Sequence, residues 1–162
     1  MAVAGIGVDI VEIERMRAIL ERTPRFKQRV FTETEQEYCD KRSNPAASYA
    51  ACFAAREAVL KALGTGFSGM GLKDVSVDHD DRGKPLAILT GKAQQVAQNQ
   101  GVLEVYLSIS HTSDIAVANA VASTAQTRVK REVHTDEKTA LAEQFKQARK
   151  LLDELDRKEE DA

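Results

Sequence analysis

Apolar residues fill nearly every position of 2–11, and only Asp9 interrupts the run. Such a run predicts a strand buried on both faces. Ile13, Met16 and Leu20 then recur at helical spacing, so the strand passes directly into a helix over 13–20. Thr23-Pro24 opens a short helical turn, with threonine as cap and proline in the first position. Thr32 and Glu35 have the spacing of a capping box and start a helix that reaches Lys41. Ser43-Asn44-Pro45 breaks the chain, and the longest helix follows over 47–63, with Gly64 as its stop.

Gly64, Gly66, Gly69 and Gly71 make 64–71 a loop. Val75 and Val77 begin a strand, Asp80-Asp81-Arg82-Gly83 is a turn, and 86–89 is the return strand. Residues 92–100 read as a short helix stopped by Gly101. Leu103, Val105, Leu107 and Ile109 alternate, which predicts a strand with one buried face. A turn at 112–114 returns the chain into a last strand over 115–121. Helices and strands mix without a regular βαβ repeat, so the fold class is α+β.

Charged residues thicken after Ser123, and a boundary is expected there. Residues 1–122 form one compact domain on this reading, and 123–135, polar and aperiodic, form a linker. Residues 136–162 form a charged helical extension. Within it Leu141, Phe145, Ala148, Leu152 and Leu155 recur at spacings of three and four. That stripe is too narrow to make its own core, so it needs something to pack on.

The chain has 162 residues, enough for one domain with an appendage, and 43% of them are hydrophobic. A net charge of −2 gives no bulk basic footprint for nucleic acid or a membrane. No apolar stretch approaches the ~20 residues that span a bilayer, and no signal peptide is visible. Cys39 and Cys52 stand at no zinc-ligand spacing and read as two reduced thiols, which points to the cytoplasm. One stretch departs from the overall charge. Residues 14–29 carry Arg15, Arg17, Arg22, Arg25, Lys27 and Arg29 against Glu14 and Glu21. They form either a solvated helix face or a surface for an acidic partner.

Two carboxylates stand in apolar settings. Asp9 interrupts the first strand, and Glu57 lies on a helix face with Ala50, Phe53, Ala54, Ala58 and Lys61. Burying a carboxylate is costly unless it is paired or binds a cation. One reading makes Asp9 a helix cap and pairs Glu57 with Lys61 at i, i+4. The other makes the two carboxylates hard oxygen ligands of one Mg²⁺. The 64–71 loop lacks the Gly-Lys-Ser/Thr ending of a P-loop and follows a helix end rather than opening one. Ser108 and Ser110 lie on one face of a strand with His111 and Thr112 at its end, where they cap a turn or bind a ligand. No Gly-x-Ser-x-Gly elbow exists, which excludes that class of hydrolase.

Four motifs occur in order: Gly-Ile-Gly-Val-Asp-Ile-Val-Glu-Ile (5–13), Ala-Arg-Glu-Ala-Val-Leu-Lys-Ala-Leu-Gly-Thr-Gly (55–66), Gly-Lys-Pro (83–85) and Ser-Ile-Ser-His-Thr (108–112). Over 1–122 the chain resembles the holo-(acyl carrier protein) synthases of the 4'-phosphopantetheinyl transferase superfamily. The resemblance implies that family's compact fold, with a long Glu-bearing helix against an antiparallel sheet, assembled as a homotrimer with its sites in the subunit clefts. It implies transfer of 4'-phosphopantetheine from coenzyme A to a serine of an acidic acyl carrier protein, in service of fatty acid biosynthesis. Asp9 and Glu57 are then the catalytic and Mg²⁺-binding pair, with Glu57, through water, the candidate general base. Some members carry another acidic residue where Val11 stands here, so water or substrate oxygen completes the coordination. Arg56, Lys61, Gly64, Gly66, Pro85, Ser110, His111 and Thr112 are the implied coenzyme A contacts. Arg56 departs from the lysine most members carry and cannot act as a proton carrier. Arg15, Arg22, Arg25 and Phe26 match the carrier-docking positions. Two other classes stay open at this point: a Mg²⁺-dependent pyrophosphate hydrolase, and a non-catalytic carrier- or coenzyme-binding module.

Overall fold

The computed structural model of the chain describes residues 5–66, 68–126 and 135–160. Its central element is helix α4, Pro45–Ala62, built from an alanine-rich sequence. Asn44 caps it by accepting from the Ala47 N–H at 3.3 Å, and Pro45 takes the first-turn position that needs no donor. At the other end Gly64 adopts φ +71°, and its N–H donates to the Lys61 carbonyl at 3.0 Å. Before α4 come strand β1, Gly5–Glu12, and helices α1, Ile13–Arg22, α2, Pro24–Val30, and α3, Glu33–Asp40. The capping box of α3 is present in both directions: Thr32 Oγ1 accepts from Glu35 N, and Glu35 accepts from Thr32 N.

After α4 come β2, Val75–His79, β3, Pro85–Leu89, helix α5, Gly91–Asn99, and strands β4, Val102–His111, and β5, Ile115–Thr124. The five strands form one antiparallel sheet in the order β1-β5-β4-β3-β2. Helix α4 packs on the β1–β5 end of the sheet, where the residues facing it are small. Ala116, Ala118, Ala120 and Ala122 of β5 are all buried. Gly5 and Gly7 of β1 come closer still. A Cβ on Gly7 would lie 1.9 Å from the Ala58 carbonyl oxygen, and one on Gly5 would lie 1.7 Å from that of Ala62.

The first strand differs from its expected burial. Its alternate residues Ile6, Val8 and Ile10 face solvent, with Ile6 75% exposed. Only one face of β1 meets α4, so an apolar run marks two apolar faces without saying what covers the second. Leu103 also departs from the alternation in β4. A register shift between Val102 and Glu104 turns it outward, 64% exposed, and puts Val102 in the half-buried row with Val105 and Ile109. β5 runs two residues past the boundary expected after 122. Ser123 and Thr124 are buried and pair with Glu104 and Val102. Most of the expected linker, 127–134, lies outside the described residues.

Cys39 and Cys52 are buried free thiols with their sulfurs 3.8 Å apart. Contact with Cys39 and burial push the Cys52 thiol well above its ordinary range. Residues 129–162 form a separate unit, which contains helix α6, Thr135–Glu160. On it Leu141, Phe145 and Leu152 are exposed. No helix among the described residues is long and apolar enough to cross a membrane.

The glycine contact carries a test. Gly7→Ala forces α4 off the sheet and is expected to cost about 3 kcal/mol, the upper end of the overpacking range. Thermal unfolding followed by circular dichroism measures it against the parent chain.

Candidate active site

Strand β1 carries Asp9 and helix α4 carries Glu57 and Lys61, one turn apart on one helix face. The packing of α4 on β1 brings all three together. Lys61 does not pair with Glu57. Its ammonium crosses to β1 and donates to Asp9 Oδ1 at 2.8 Å and to the Val8 carbonyl at 3.0 Å. The hydrogen bond to Asp9 raises the Lys61 pKa. Asp9 lies within the strand and caps no helix.

Glu57 is half-buried and accepts no hydrogen bond from any described residue. Burial and the nearby Asp9 carboxylate push its carboxyl up, while Lys61 and Arg56 pull the other way. A carboxylate that is partly desolvated, beside a second one, and without an internal donor has the character of a cation ligand. Among the described residues no group of three or more His, Cys, Asp or Glu side chains could hold a metal. Two carboxylates alone suit Mg²⁺, which keeps much of its water and commonly takes one or two protein carboxylates plus substrate phosphate.

Beyond α4 the chain enters the glycine loop. Gly64 and Gly66 have φ of +71° and +53°, and nothing stands where their Cβ atoms would be. These glycines therefore serve backbone shape, not close packing. Asp74 pins the loop's far end, a role the sequence reading missed. Its Oδ2 accepts from Gly71 N at 3.0 Å and Lys92 N at 3.2 Å, and its carbonyl accepts from Thr90 N at 2.8 Å.

Pro85 and His111 line a second region, a cavity of about 420 Å³ beside the N-terminal half of α4. Tyr38, Arg42, Asn44 and His79 line it too. The Tyr38 and His79 rings stack with centroids 3.7 Å apart and planes at 10°. The Arg42 guanidinium lies 4.2 Å from the Tyr38 ring centre and also donates to the Tyr38 hydroxyl. Burial and the Arg42 charge lower the His79 pKa. No sequence signal joins these three residues; the fold alone assembles them. Ser110 is exposed nearby on β4. Thr112 closes the β4–β5 turn, where its hydroxyl accepts from the Asp114 and Ile115 N–H groups at 3.2 Å each. Asp9, Glu57 and Lys61 do not line this cavity, so one chain holds the expected site residues in two groups.

Arg56 belongs to neither group and is corrected as a coenzyme contact. It is 1% exposed, with its guanidinium turned into the core onto Glu35 and the Val75 carbonyl. A side chain already committed to a buried carboxylate is not free for a phosphate. The basic stretch divides as well. Arg17 pairs with Glu14 and Lys27 with Asp40. Arg15, Arg22 and Arg25 are exposed and have no ion pair among the described residues. Phe26 is half-buried between Phe31 and Phe53, with ring centres at 6.1 and 6.5 Å.

Comparison with known proteins bears on this arrangement. The profile of the 4'-phosphopantetheinyl transferase superfamily matches residues 5–120. The chain is similar to the holo-[acyl-carrier-protein] synthase of Alkaliphilus metalliredigens, 48% identical over 122 residues, covering 75% of this chain and 99% of the relative. It is similar also to that of Caldanaerobacter subterraneus subsp. tengcongensis, 46% identical over 117 residues, covering 72% and 92%. Among solved structures it resembles a Bacillus anthracis holo-(acyl-carrier-protein) synthase in complex with CoA (3',5'-ADP). That match has a TM-score of 0.61 and 36% identity and covers 75% of this chain and 96% of the other. From the carboxylates on β1 and α4 to the last paired strand, this chain belongs to the 4'-phosphopantetheinyl transferase superfamily.

Proposed function

We infer that the chain is a holo-(acyl carrier protein) synthase, which moves 4'-phosphopantetheine from coenzyme A to a serine of apo-acyl carrier protein. The observation that carries this is Asp9 facing Glu57 and Lys61 in a chain that spans nearly the whole length of synthases about half identical to it. The serine oxygen attacks the β-phosphorus, a new P–O ester forms, and the pyrophosphate P–O bond breaks to release adenosine 3',5'-bisphosphate. Asp9 and Glu57 would hold a Mg²⁺, which when bound would supply charge to offset that of the diphosphate. Lys61 adds a point charge beside it. Glu57, through a bound water, is the candidate to accept the serine proton. Gly64, Gly66, Pro85, Ser110 and His111 contact coenzyme A, and Thr112 keeps a hydroxyl proton to donate to it.

The active form is a homotrimer. Two observations support this. The expected site residues fall in two separate groups within one chain. The outer face of the sheet also exposes a row of bulky residues, including Ile6, Val8, Ile10, Tyr106 and Val121. Arg15, Arg22 and Arg25, whose charges are left unpaired while Arg17 and Lys27 are neutralised, receive the acidic carrier together with Phe26. The buried reduced thiols suit a cytoplasmic enzyme. The transferase region ends with β5 and its turn, after 126, and α6 packs its apolar stripe within the oligomer.

Four outcomes test this reading. Mass spectrometry of apo-carrier incubated with coenzyme A and Mg²⁺ is expected to show the gain of one phosphopantetheine. In that assay Asp9→Asn and Glu57→Gln each lower turnover at least about a hundredfold with the fold retained; near-normal rates at limiting Mg²⁺ would remove the residue from the site. Charge reversal at Arg15, Arg22 or Arg25 is expected to raise KM for carrier several-fold, more at low salt, and to leave KM for coenzyme A unchanged. Truncation after 126 should preserve turnover but lower the melting temperature or the trimer mass seen by light scattering. Lost chemistry in an intact trimer would place the tail in the site.

A further inference from the structure

Arg56 and Glu35 form a buried ion pair that the transfer reaction does not use. Both are about 1% exposed. Arg56 Nη2 donates to the two Glu35 oxygens at 3.0 Å each, and Nε donates to the Val75 carbonyl at 2.6 Å. Glu35 also accepts from the Thr32 N–H at 2.8 Å and the Val77 N–H at 3.0 Å. The Phe31 ring centre lies 5.1 Å from the guanidinium carbon. The start of α3, the middle of α4 and two successive inward positions of β2 all meet on this pair.

Net stability does not account for such an arrangement. Desolvating two charges costs several kcal/mol each, and their attraction only roughly repays it. Arg56 Nη1 is moreover buried without a hydrogen-bond partner. What the pair does supply is position. A helix turns about 100° per residue, so Arg56, Glu57 and Ala58 fan around one side of α4. Arg56 is tied to α3 and β2 on one flank. Ala58 is held on the other, its carbonyl against Gly7. Glu57 lies between them and has no hydrogen bond of its own among the described residues. Its direction is inherited from its neighbours.

We propose that the Glu35–Arg56 pair is a positioning device that sets the rotation of α4 and so aims Glu57 toward Asp9. The inference rests on the reading of Asp9 and Glu57 as the metal-binding carboxylates. Without the pair, α4 can roll on the small-residue face of the sheet, and the tip of a long side chain moves further than the helix axis. The loss falls on the metal site and on turnover. Carrier binding, which uses α1 and α2, is spared.

The test compares Arg56→Met, Glu35→Gln, Arg56→Lys, Glu35→Asp and Glu57→Gln in the full chain, with rates counted per folded molecule well below the melting temperature. Arg56→Met and Glu35→Gln are expected to lower kcat about tenfold and to leave KM for carrier within about twofold. Without substrate, the dissociation constant for Mn²⁺, read from the free-ion paramagnetic resonance signal, rises about tenfold. Arg56→Lys keeps a cation within reach of Glu35 and recovers most of both losses. Glu35→Asp keeps the charges, folds even if the others do not, and lowers kcat and Mn²⁺ affinity about threefold by shortening the reach. Lower melting temperatures with unchanged kcat and Mn²⁺ affinity would make the pair structural only and overturn the inference. An active Glu57→Gln chain would instead overturn the reading of the site, whatever the pair does.

Discussion

Helix α4 can lie against β1 only because Gly5 and Gly7 carry no side chain. The rest of the site depends on that spacing. Lys61 reaches the Val8 carbonyl and Asp9 from a helix that passes at backbone distance, and Glu57 senses the Asp9 charge for the same reason. The alanines of β5 extend the same low surface under the helix. Packing this close tolerates no added methylene, so the chemistry is tied to a steric condition far simpler than itself.

Two kinds of carboxylate show how the chain treats buried charge. Glu35 is wholly buried and fully served, by a guanidinium and by backbone donors from two segments. Glu57 is only half-buried and has no hydrogen bond from any described residue. The first is satisfied within the fold, so it specifies structure. The second has no internal donor among the described residues, which suits the cation-binding role proposed for it.

Much of this was legible along the chain, and the failures have physical causes. Asp9, Glu57 and Lys61 stood out because charge in an apolar setting needs an explanation, and local spacing put two of them on one helix face. The capping box at Thr32 and Glu35 was equally local. The second task of Glu35 was not, because its partners lie 21 and 42 residues away along the chain. The same distance hid Arg56, which looked like a phosphate ligand until the core claimed it. The Tyr38–His79 stack likewise joins two segments whose closeness is a tertiary fact. Periodicity found the strand β4 but not the bulge that turned Leu103 outward, since one extra residue swaps the faces.

At its β1–β5 end the sheet places small residues inward, on α4, and bulky aliphatic ones such as Ile6, Val8, Ile10 and Val121 outward. In the proposed homotrimer, a protomer of this kind would keep part of its hydrophobic driving force in reserve for its neighbours. In such an assembly resistance to unfolding would depend on how much protein is present, falling on dilution as copies separate. For the proposed trimer, that outward face would be uncovered during synthesis until partner copies arrive, which would make assembly the step most open to aggregation.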